Sequence, residues 1–497
     1  MRISSPTIFF AALIGIASGI CQTTNAALPT SAVNAERLYT AAELRADFEQ
    51  LYRGLQAAHF DLYAFTSKGE LDTQYQAALE QLNQPLTLLE AQTRFELFAA
   101  RVRMGHTRVA SPMPEWLRYR ESGGTGFPVR IRIVEGRSYV AENLSGAADI
   151  RPGDEILALN GIPIKKWLAQ TERHVSAETP YMAHSLMEYD FAIYLWLELG
   201  SVPSYDVAVR SAGISPHHVR VPARSSAEMD AARAAQPPML DLEHPLREAK
   251  MLDAHLAYLR PGPFYNAEAK TEVEQWDVSG FRSFIDAAFE SFAQAGADRL
   301  VIDLRGNPGG DNLFSDVMVA WIASRPFRFA AEFEIKVSEA SVAANTERIA
   351  RDAAAAGPIS QKYAELYAKS RMGDVVDFDI PMTYPRPEGR FNGKTYVLID
   401  RQSYSNAVAV AALIQDYRFG VILGEETADM ATTYGAMEQF RLPNTGLTVG
   451  YPKARIVRPN GDRRTRGVTP DIRIRIPIVQ DPTDTVLRNA IAIAKRN

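Results

Sequence analysis

Two short segments, each at a predicted strand-to-helix junction, carry residues that could do chemistry. The first is Ser403-Tyr404-Ser405-Asn406-Ala407, which follows an apolar strand pattern and precedes an apolar helix pattern. A serine at such a junction can hold its hydroxyl clear of the sheet while the next backbone N–H points at an oxyanion. The alternative interpretation is that Ser403 or Ser405 caps the helix, the usual role of serine there. The glycine-flanked pattern of the α/β-hydrolase elbow is absent, which argues against that fold.

The second segment is a glycine-rich turn, Arg305-Gly306-Asn307-Pro308-Gly309-Gly310, which directly follows a buried strand pattern. Glycines let backbone N–H groups approach a bound group closely, and the helix start beyond the turn favours negative charge. Taken alone the motif is weak, because most glycine turns only turn the chain.

Strand and helix patterns alternate around both segments, between residues 250 and 475. The strands are short apolar runs, and the helices are stretches with apolar residues on one face. Alternation of this kind predicts an α/β domain with a largely parallel sheet. Residues 335–390 interrupt it as an Ala- and Lys/Arg-bearing insertion that is predicted to be helical. The predicted strands are His255–Leu259, Arg299–Leu304, Thr395–Ile399 and Gly420–Leu423, and the predicted helices are Trp276–Ala293, Asn312–Ala323 and Asn406–Gln415.

The chain before this domain has two regions of different character. Residues 36–120 repeat apolar side chains at helical spacing and end at Met104-Gly105-His106-Thr107, where the glycine indicates a helix stop. Residues 121–222 alternate apolar and polar side chains, as half-buried strands do. Within them, residues 149–161 resemble the carboxylate-binding loop and strand of a PDZ domain, which takes a peptide as an added strand. A plain β-domain that has lost peptide binding is the alternative.

Composition and charge limit the partners and the compartment. The chain has 497 residues and a net charge of −5 at pH 7. This length predicts about three domains, and the charge argues against nucleic acid as the main partner. The apolar run Ile8 to Ile20, between Arg2 and Ala26, predicts a cleaved export signal, because it is shorter than the ~20 residues of a spanning helix. The single cysteine, Cys21, lies in this segment, so the mature chain is expected to lack disulfides and cysteine nucleophiles.

Taken together, the motifs resemble the C-terminal-processing (tail-specific) serine peptidases and the related tricorn protease. The run from Val301 to Gly310 is similar to the family's strand and glycine turn, and Ser405 stands in register with its nucleophile. The resemblance covers most of residues 36–475. Further matching segments stand in family order: His59 through Tyr63, Gly105-His106-Thr107, Gly424-Glu425-Glu426-Thr427, Leu442-Pro443, Gly461-Asp462 and Gly467-Val468-Thr469-Pro470-Asp471-Ile472.

The resemblance also bears on the catalytic base. Many members pair the serine with a lysine, but this chain has Met430 at that position. Tricorn-like members use a histidine from the preceding domain, which corresponds here to His106. A neutral imidazole can take the serine proton, so activity is expected to rise with pH through about 6–7.5. A lone histidine at a helix end is otherwise more often structural.

Two acidic positions of the family are not kept. Met104 stands two residues before the histidine, and Arg464 and Thr465 stand before the final glycine-rich motif, where relatives carry acids. The residue that would orient His106 is therefore missing from its expected places. The sequence leaves Glu425, Glu426 and Asp429 open as substitutes.

The resemblance implies an exported serine endopeptidase with Ser405 as nucleophile and His106 as base. The N–H groups of Gly309 or Gly310 and of Asn406 would hold the oxyanion, with a polypeptide substrate and no metal or organic cofactor. A weak or inactive homologue that binds a ligand or peptide is the alternative. The mature protein is expected in the periplasm or outside the cell. The predicted organisation is a signal peptide at 1–26, a helical domain at 27–120, a PDZ-like domain at 121–222, a linker at 223–249, an α/β (crotonase-like) core at 250–480 and a C-terminal helix at 481–497.

Overall fold

The computed structural model of the protein describes residues 37–236, 247–351, 353–479 and 482–496. The predicted signal peptide and the middle of the predicted linker lie outside the described residues. None of the described helices is both long and apolar enough to cross a membrane.

The first region, residues 37–121, is helical. Its first three helices each begin with a serine or threonine whose side chain accepts a hydrogen bond from the third helical N–H. In the buried core of this region, Phe48 packs against Phe95 with tilted rings and against Phe98 edge to face. Its elements are α1 (Ala41–Ala58), α2 (Lys68–Gln81), α3 (Leu88–Ala99), β1 (Arg108–Val109) and α4 (Met113–Glu121).

Residues 122–236, called the middle module below, contain an antiparallel sheet with the strand order β2-β3-β4-β6-β7, and β5 pairs with β4. Strand β2 lies at the edge of this sheet, and helix α6 packs against it. Helix α7 lies in the segment predicted as a linker. The elements are β2 (Val129–Val134), β3 (Arg137–Asn143), β4 (Glu155–Leu159), β5 (Ile162–Pro163), α5 (Ile164–Thr171), α6 (Pro180–Leu199), β6 (Ser204–Arg210), β7 (His217–Pro222) and α7 (Ser226–Ala234).

The α/β core predicted from the sequence is confirmed. Its sheet has the order β17-β14-β13-β10-β9-β8 and is parallel except at β8. Alternate residues of each strand face opposite layers, as the pleat requires. Ile302 packs with one helical layer, and Val301 packs with the C-terminal helix. The core elements are β8 (Glu248–Met251), β9 (Leu256–Arg260), α8 (Glu272–Gln275), α9 (Ser279–Gln294), β10 (Arg299–Asp303), α10 (Asn312–Ile322), β11 (Glu332–Lys336), α11 (Glu339–Arg351), α12 (Ala353–Ala368), β12 (Val375–Asp377), β13 (Lys394–Ile399), α13 (Asn406–Tyr417), β14 (Val421–Gly424), β15 (Thr433–Arg441), β16 (Thr448–Val457), β17 (Ile472–Arg473) and α14 (Thr485–Arg496).

A further sheet joins the helical region to the core. Its order is β1-β16-β11-β12, and β15 also pairs with β16. Strand β1 directly follows residues 104–107, and Arg108 pairs with Gly450 on the long strand β16. The segment that carries His106 is therefore fixed to the core by backbone hydrogen bonds, although it precedes the core by more than a whole module along the chain.

Candidate active site

The strained residue of the site is Ser405, which lies between strand β13 and helix α13. Its φ is 52° and its ψ is −122°, a conformation that costs a non-glycine residue on the order of 1–3 kcal/mol. The side chain of Ser405 makes no capping hydrogen bond to helix α13. Helix capping, the alternative interpretation of this serine, therefore does not account for it. Its hydroxyl is left available at the carboxyl end of the parallel sheet, where ligands bind in open α/β folds.

Ser403, in contrast, has a structural role. Its hydroxyl is fully buried and donates to the carbonyl of Leu304 at 2.7 Å. Asp400 accepts hydrogen bonds from the backbone N–H of Ser403 at 2.9 Å and of Gly306 at 3.0 Å. These contacts join the end of β13 to the end of β10, so the Ser405 segment and the glycine turn are held side by side.

The glycine turn packs directly against Ser405. A Cβ atom on Gly309 would lie 2.9 Å from Ser405 Cβ and 2.7 Å from the backbone nitrogen of Asn406. The N–H of Gly309 donates to Asn307 Oδ1 at 2.9 Å, so this amide is already engaged. Gly310 forms a parallel bridge with Phe264, in which the Gly309 carbonyl accepts the N–H of Phe264 and the Asp311 N–H donates to the Phe264 carbonyl. Since neighbouring amides of an extended chain point to opposite sides, the Gly310 N–H points away from Phe264.

His106 lies beside the residue that precedes Ser405. Its ring centroid is 5.5 Å from that of Tyr404, and the Tyr404 hydroxyl donates to the carbonyl of Gly105 at 3.3 Å. No hydrogen bond joins His106 to Ser405 in the part of the chain that the structure describes. Burial, with a smaller contribution from Arg108, lowers the pKa of His106 to about 3, so the imidazole is neutral. Its Nδ1 atom is buried and has no hydrogen-bond partner among the described residues.

Two other parts of the molecule hold the loop of His106. His59 accepts the N–H of Asp61 on Nδ1 at 3.1 Å, so its Nε2 donates to the Thr107 hydroxyl at 2.8 Å. From the middle module, the Ser176 hydroxyl accepts the N–H of Met104 at 2.9 Å and donates to the carbonyl of the same residue at 2.7 Å. Hydrogen bonds from the helical region and from the middle module therefore both hold the loop in place.

Two buried acids complete the surroundings. Asp429 accepts the N–H of Ser405 at 2.6 Å and that of Met430 at 2.8 Å, and burial raises its pKa to about 6. Glu178, from the middle module, accepts the N–H of Gly105 on Oε2 at 3.1 Å, while its Oε1 is buried without a partner among the described residues. Burial and the charge of Asp429 raise the pKa of Glu178 to about 8. The site can thus supply a hydroxyl, a neutral imidazole and carboxyl groups that change charge near neutral pH.

Comparison with known proteins gives a family for part of the chain. Residues 272–474 match peptidase family S41. The core belongs to this family. This match supports a serine-type peptidase. Among curated protein sequences, none matches the chain.

The fold is similar to that of several solved structures. Mature CPAF in complex with lactacystin has a TM-score of 0.61 and 15% identity, over 92% of this chain and 98% of that one. A mutant of CPAF has a TM-score of 0.59 and 17% identity, over 87% and 93%. The photosystem II D1 C-terminal processing protease is also found, at a TM-score of 0.44 and 17% identity, over 88% and 93%.

Met430 stands at the position where the resemblance would place a lysine base. It is buried, and it belongs to the same apolar cluster as Met182 and Tyr404. Among the described residues, no group of His, Cys, Asp or Glu is arranged to hold a metal ion.

A buried ion cluster joins the S41 core to the middle module, and no pattern in the sequence indicates it. The guanidinium of Arg401 donates to Glu188 at 3.0 Å, to Glu425 at 2.7 Å and to the carbonyl of Ile133 on edge strand β2 at 2.7 Å. Arg132 donates to Glu425 at 3.2 Å. Burial opposes charge on Glu425, but the two arginines together lower its pKa. Glu425 is one of the three acids that the sequence leaves as candidates for orienting His106. In the structure, its carboxylate is bound by the arginines of this cluster.

Replacing Arg401 with methionine should lower the free energy of unfolding by about 3 kcal/mol. The reason is that Glu188 and Glu425 would lose their main partner inside the protein, where an unpaired carboxylate is costly. The matched control is Arg118→Met, which removes an exposed pair with Glu115 and should cost less than ~1 kcal/mol. Urea unfolding of the three proteins measures both values, and equal losses in the two variants would contradict the role of the cluster.

Proposed function

We propose that the protein is an exported serine endopeptidase that cleaves polypeptides with Ser405 as nucleophile and His106 as general base. The observation that carries the proposal is the backbone of Ser405, which is strained, lies at the sheet's carboxyl edge and leaves the hydroxyl free of the helix cap. Strain of this kind persists where function requires it. The export signal at 1–26 and the PDZ-like character of the middle module belong to the same proposal and rest on the sequence.

The proposed reaction uses groups from three elements. Ser405 Oγ attacks the carbonyl carbon of a peptide bond while its proton passes to Nε2 of His106. The oxyanion then accepts hydrogen bonds from the N–H groups of Gly310 and Asn406, because the N–H of Gly309 already donates to Asn307. His106 returns the proton to the leaving amine, the C–N bond breaks, and water releases the acyl group from Ser405.

Labelling with a fluorophosphonate tests the nucleophile. The wild-type protein should be labelled on one serine, because only an activated hydroxyl reacts readily with this probe. Ser405→Ala should abolish labelling while the protein stays folded. The control is Ser403→Ala, which loses a buried hydrogen bond and about 1–3 kcal/mol of stability but should remain labelled. Label that persists in folded Ser405→Ala would contradict the assignment.

A second candidate is a binding protein built on the same fold. The observation in its favour is the absence of a hydrogen bond between His106 and Ser405 in the described structure, together with Met430 at the lysine position. A protein of this kind would bind peptides without labelling or cleavage. The fluorophosphonate experiment on wild type separates the two candidates directly.

A further inference from the structure

None of the three acids that the sequence offers for orienting His106, which are Glu425, Glu426 and Asp429, is hydrogen-bonded to it among the described residues. Asp429 has both carboxylate oxygens occupied by backbone N–H groups of Ser405 and Met430. Glu425 is held by Arg401 and Arg132. Among the described residues, no hydrogen bond joins Glu426 to residues 104–107. Among the described residues, none of these three acids forms a hydrogen bond to His106.

Two buried polar atoms near the loop of His106 are without partners among the described residues. One is Nδ1 of His106, and the other is Oε1 of Glu178. The second oxygen of Glu178 accepts the N–H of Gly105, so its carboxyl group lies next to the residue that precedes His106. A buried polar atom without a hydrogen bond costs about 1–3 kcal/mol. One hydrogen bond between these two atoms would satisfy both.

We propose that Glu178, from the middle module, is the positioning residue of the catalytic site, and that its Oε1 accepts a hydrogen bond from Nδ1–H of His106. Neither atom has a hydrogen-bond partner among the described residues, so forming this contact would break no existing hydrogen bond. With a proton on Nδ1, the lone pair of Nε2 is free to accept the Ser405 proton. This inference rests on the proposed function of Ser405 and His106.

The electrostatic surroundings set the pH at which this pair works. The charge of Asp429 acts on Glu178, and the charges of both acids act on Tyr404. Arg108 acts on Tyr404 and on His106. Burial and Asp429 raise the pKa of Glu178 to about 8, and burial keeps His106 neutral. Below that pH, Glu178 and His106 together hold one extra proton. If the proton is on Glu178, its O–H donates to Nδ1 of His106. If the proton is on His106, the imidazole is cationic. Either form removes the lone pair from Nε2, so kcat/KM should rise as pH passes through about 8.

The test compares Glu178→Gln with the wild type in the full-length protein. The amide can still accept the N–H of Gly105, but it cannot ionise, and its NH₂ would donate to Nδ1. We expect kcat/KM to fall by at least ~10²-fold above pH 8, mainly in kcat, with loss of the rising limb. The matched control is Glu96→Gln, a partly buried glutamate whose Oε2 has no hydrogen bond among the described residues and lies 3.9 Å from Nδ1 of another histidine, His174. This control should keep the wild-type pH profile.

A second readout does not depend on cleavage. Imidazole ¹⁵N shifts of His106 in the Ser405→Ala background should report Nδ1–H above pH 8, and Glu178→Gln should convert the ring to Nε2–H. An unchanged tautomer or an unchanged pH profile in Glu178→Gln would overturn the proposal. If Glu178→Gln fails to fold, the Nδ1–H population with Glu178 intact must still grow through pH ~8, or the proposal is wrong. If the wild type neither cleaves nor labels, the proposed function fails, and the tautomer still decides the role of Glu178.

Discussion

His106→Ala should lower kcat/KM for peptide hydrolysis by at least ~10³-fold, because Ser405 would lose the group that takes its proton. Fluorophosphonate labelling should slow in parallel. Added imidazole should restore part of the activity, since the substitution leaves a buried cavity beside Tyr404 that a free imidazole can enter. A loss of packing alone would not respond to imidazole. The measurement is kcat/KM with and without imidazole at about pH 9, above the pKa of Glu178.

The matched control is a second buried histidine of the same region. Burial also lowers the pKa of His59 to about 3, but both of its ring nitrogens have partners. In His59→Gln the amide nitrogen can still donate to Thr107, so kcat/KM should change by less than ~10-fold, with no response to imidazole. Wild-type activity in His106→Ala would place the base elsewhere in the site.

The pH dependence shows where sequence reasoning about His106 needed correction. An exposed imidazole predicts a rise near pH 6–7.5, but burial lowers the pKa of His106 to about 3. The groups in the site that change charge near neutral pH are Asp429 and Glu178, whose pKa values are raised to about 6 and about 8. The physical reason is desolvation, which the residue types alone cannot report because it depends on what packs around them.

The core could be predicted from the sequence because its signals are local. The strand predicted over Arg299–Leu304 is β10 (Arg299–Asp303), and the helix predicted over Asn406–Gln415 is α13 (Asn406–Tyr417). In both, a continuous apolar run ends at residues that turn or cap the chain. The sequence also placed Ser405 and the glycine turn each at a strand-to-helix junction, and the structure brings these two junctions into contact.

The contacts that position His106 could not be predicted, because they join residues far apart in the chain. Strand β1 has only two residues, which is too short for any periodic pattern, and its partner strand β16 lies in the core. Glu178 meets Gly105 across 73 residues, from a different module. Without knowing how the middle module packs on the helical region, no spacing rule could select Glu178 over the acids nearer Ser405.

Gly309→Ala should be among the most damaging substitutions in the protein, although it adds only one carbon. The new Cβ would lie 2.6 Å from the carbonyl oxygen of Tyr404, 2.7 Å from the nitrogen of Asn406 and 2.9 Å from Ser405 Cβ. Two of these are backbone atoms, which cannot move without shifting the whole Ser405 segment. The residue also has a φ of 88°, which side chains rarely adopt. We expect kcat/KM to fall by at least ~10³-fold, because the hydroxyl and the amides of the oxyanion site would lose their alignment.

A second glycine serves as a control that separates the steric clash of the added Cβ from the strain of the positive φ. Gly373 has a φ of 91°, and an added methyl group there would meet no described atom within 4 Å. Gly373→Ala should therefore lose only the ~1–2 kcal/mol of left-handed strain and keep wild-type kcat/KM. Thermal unfolding reports the stability of both variants, and fluorophosphonate labelling reports the Ser405 hydroxyl. If Gly309→Ala is labelled and cleaves peptides as fast as Gly373→Ala, the glycine turn does not position the Ser405 hydroxyl. The N–H of Gly310 would then not be an oxyanion donor.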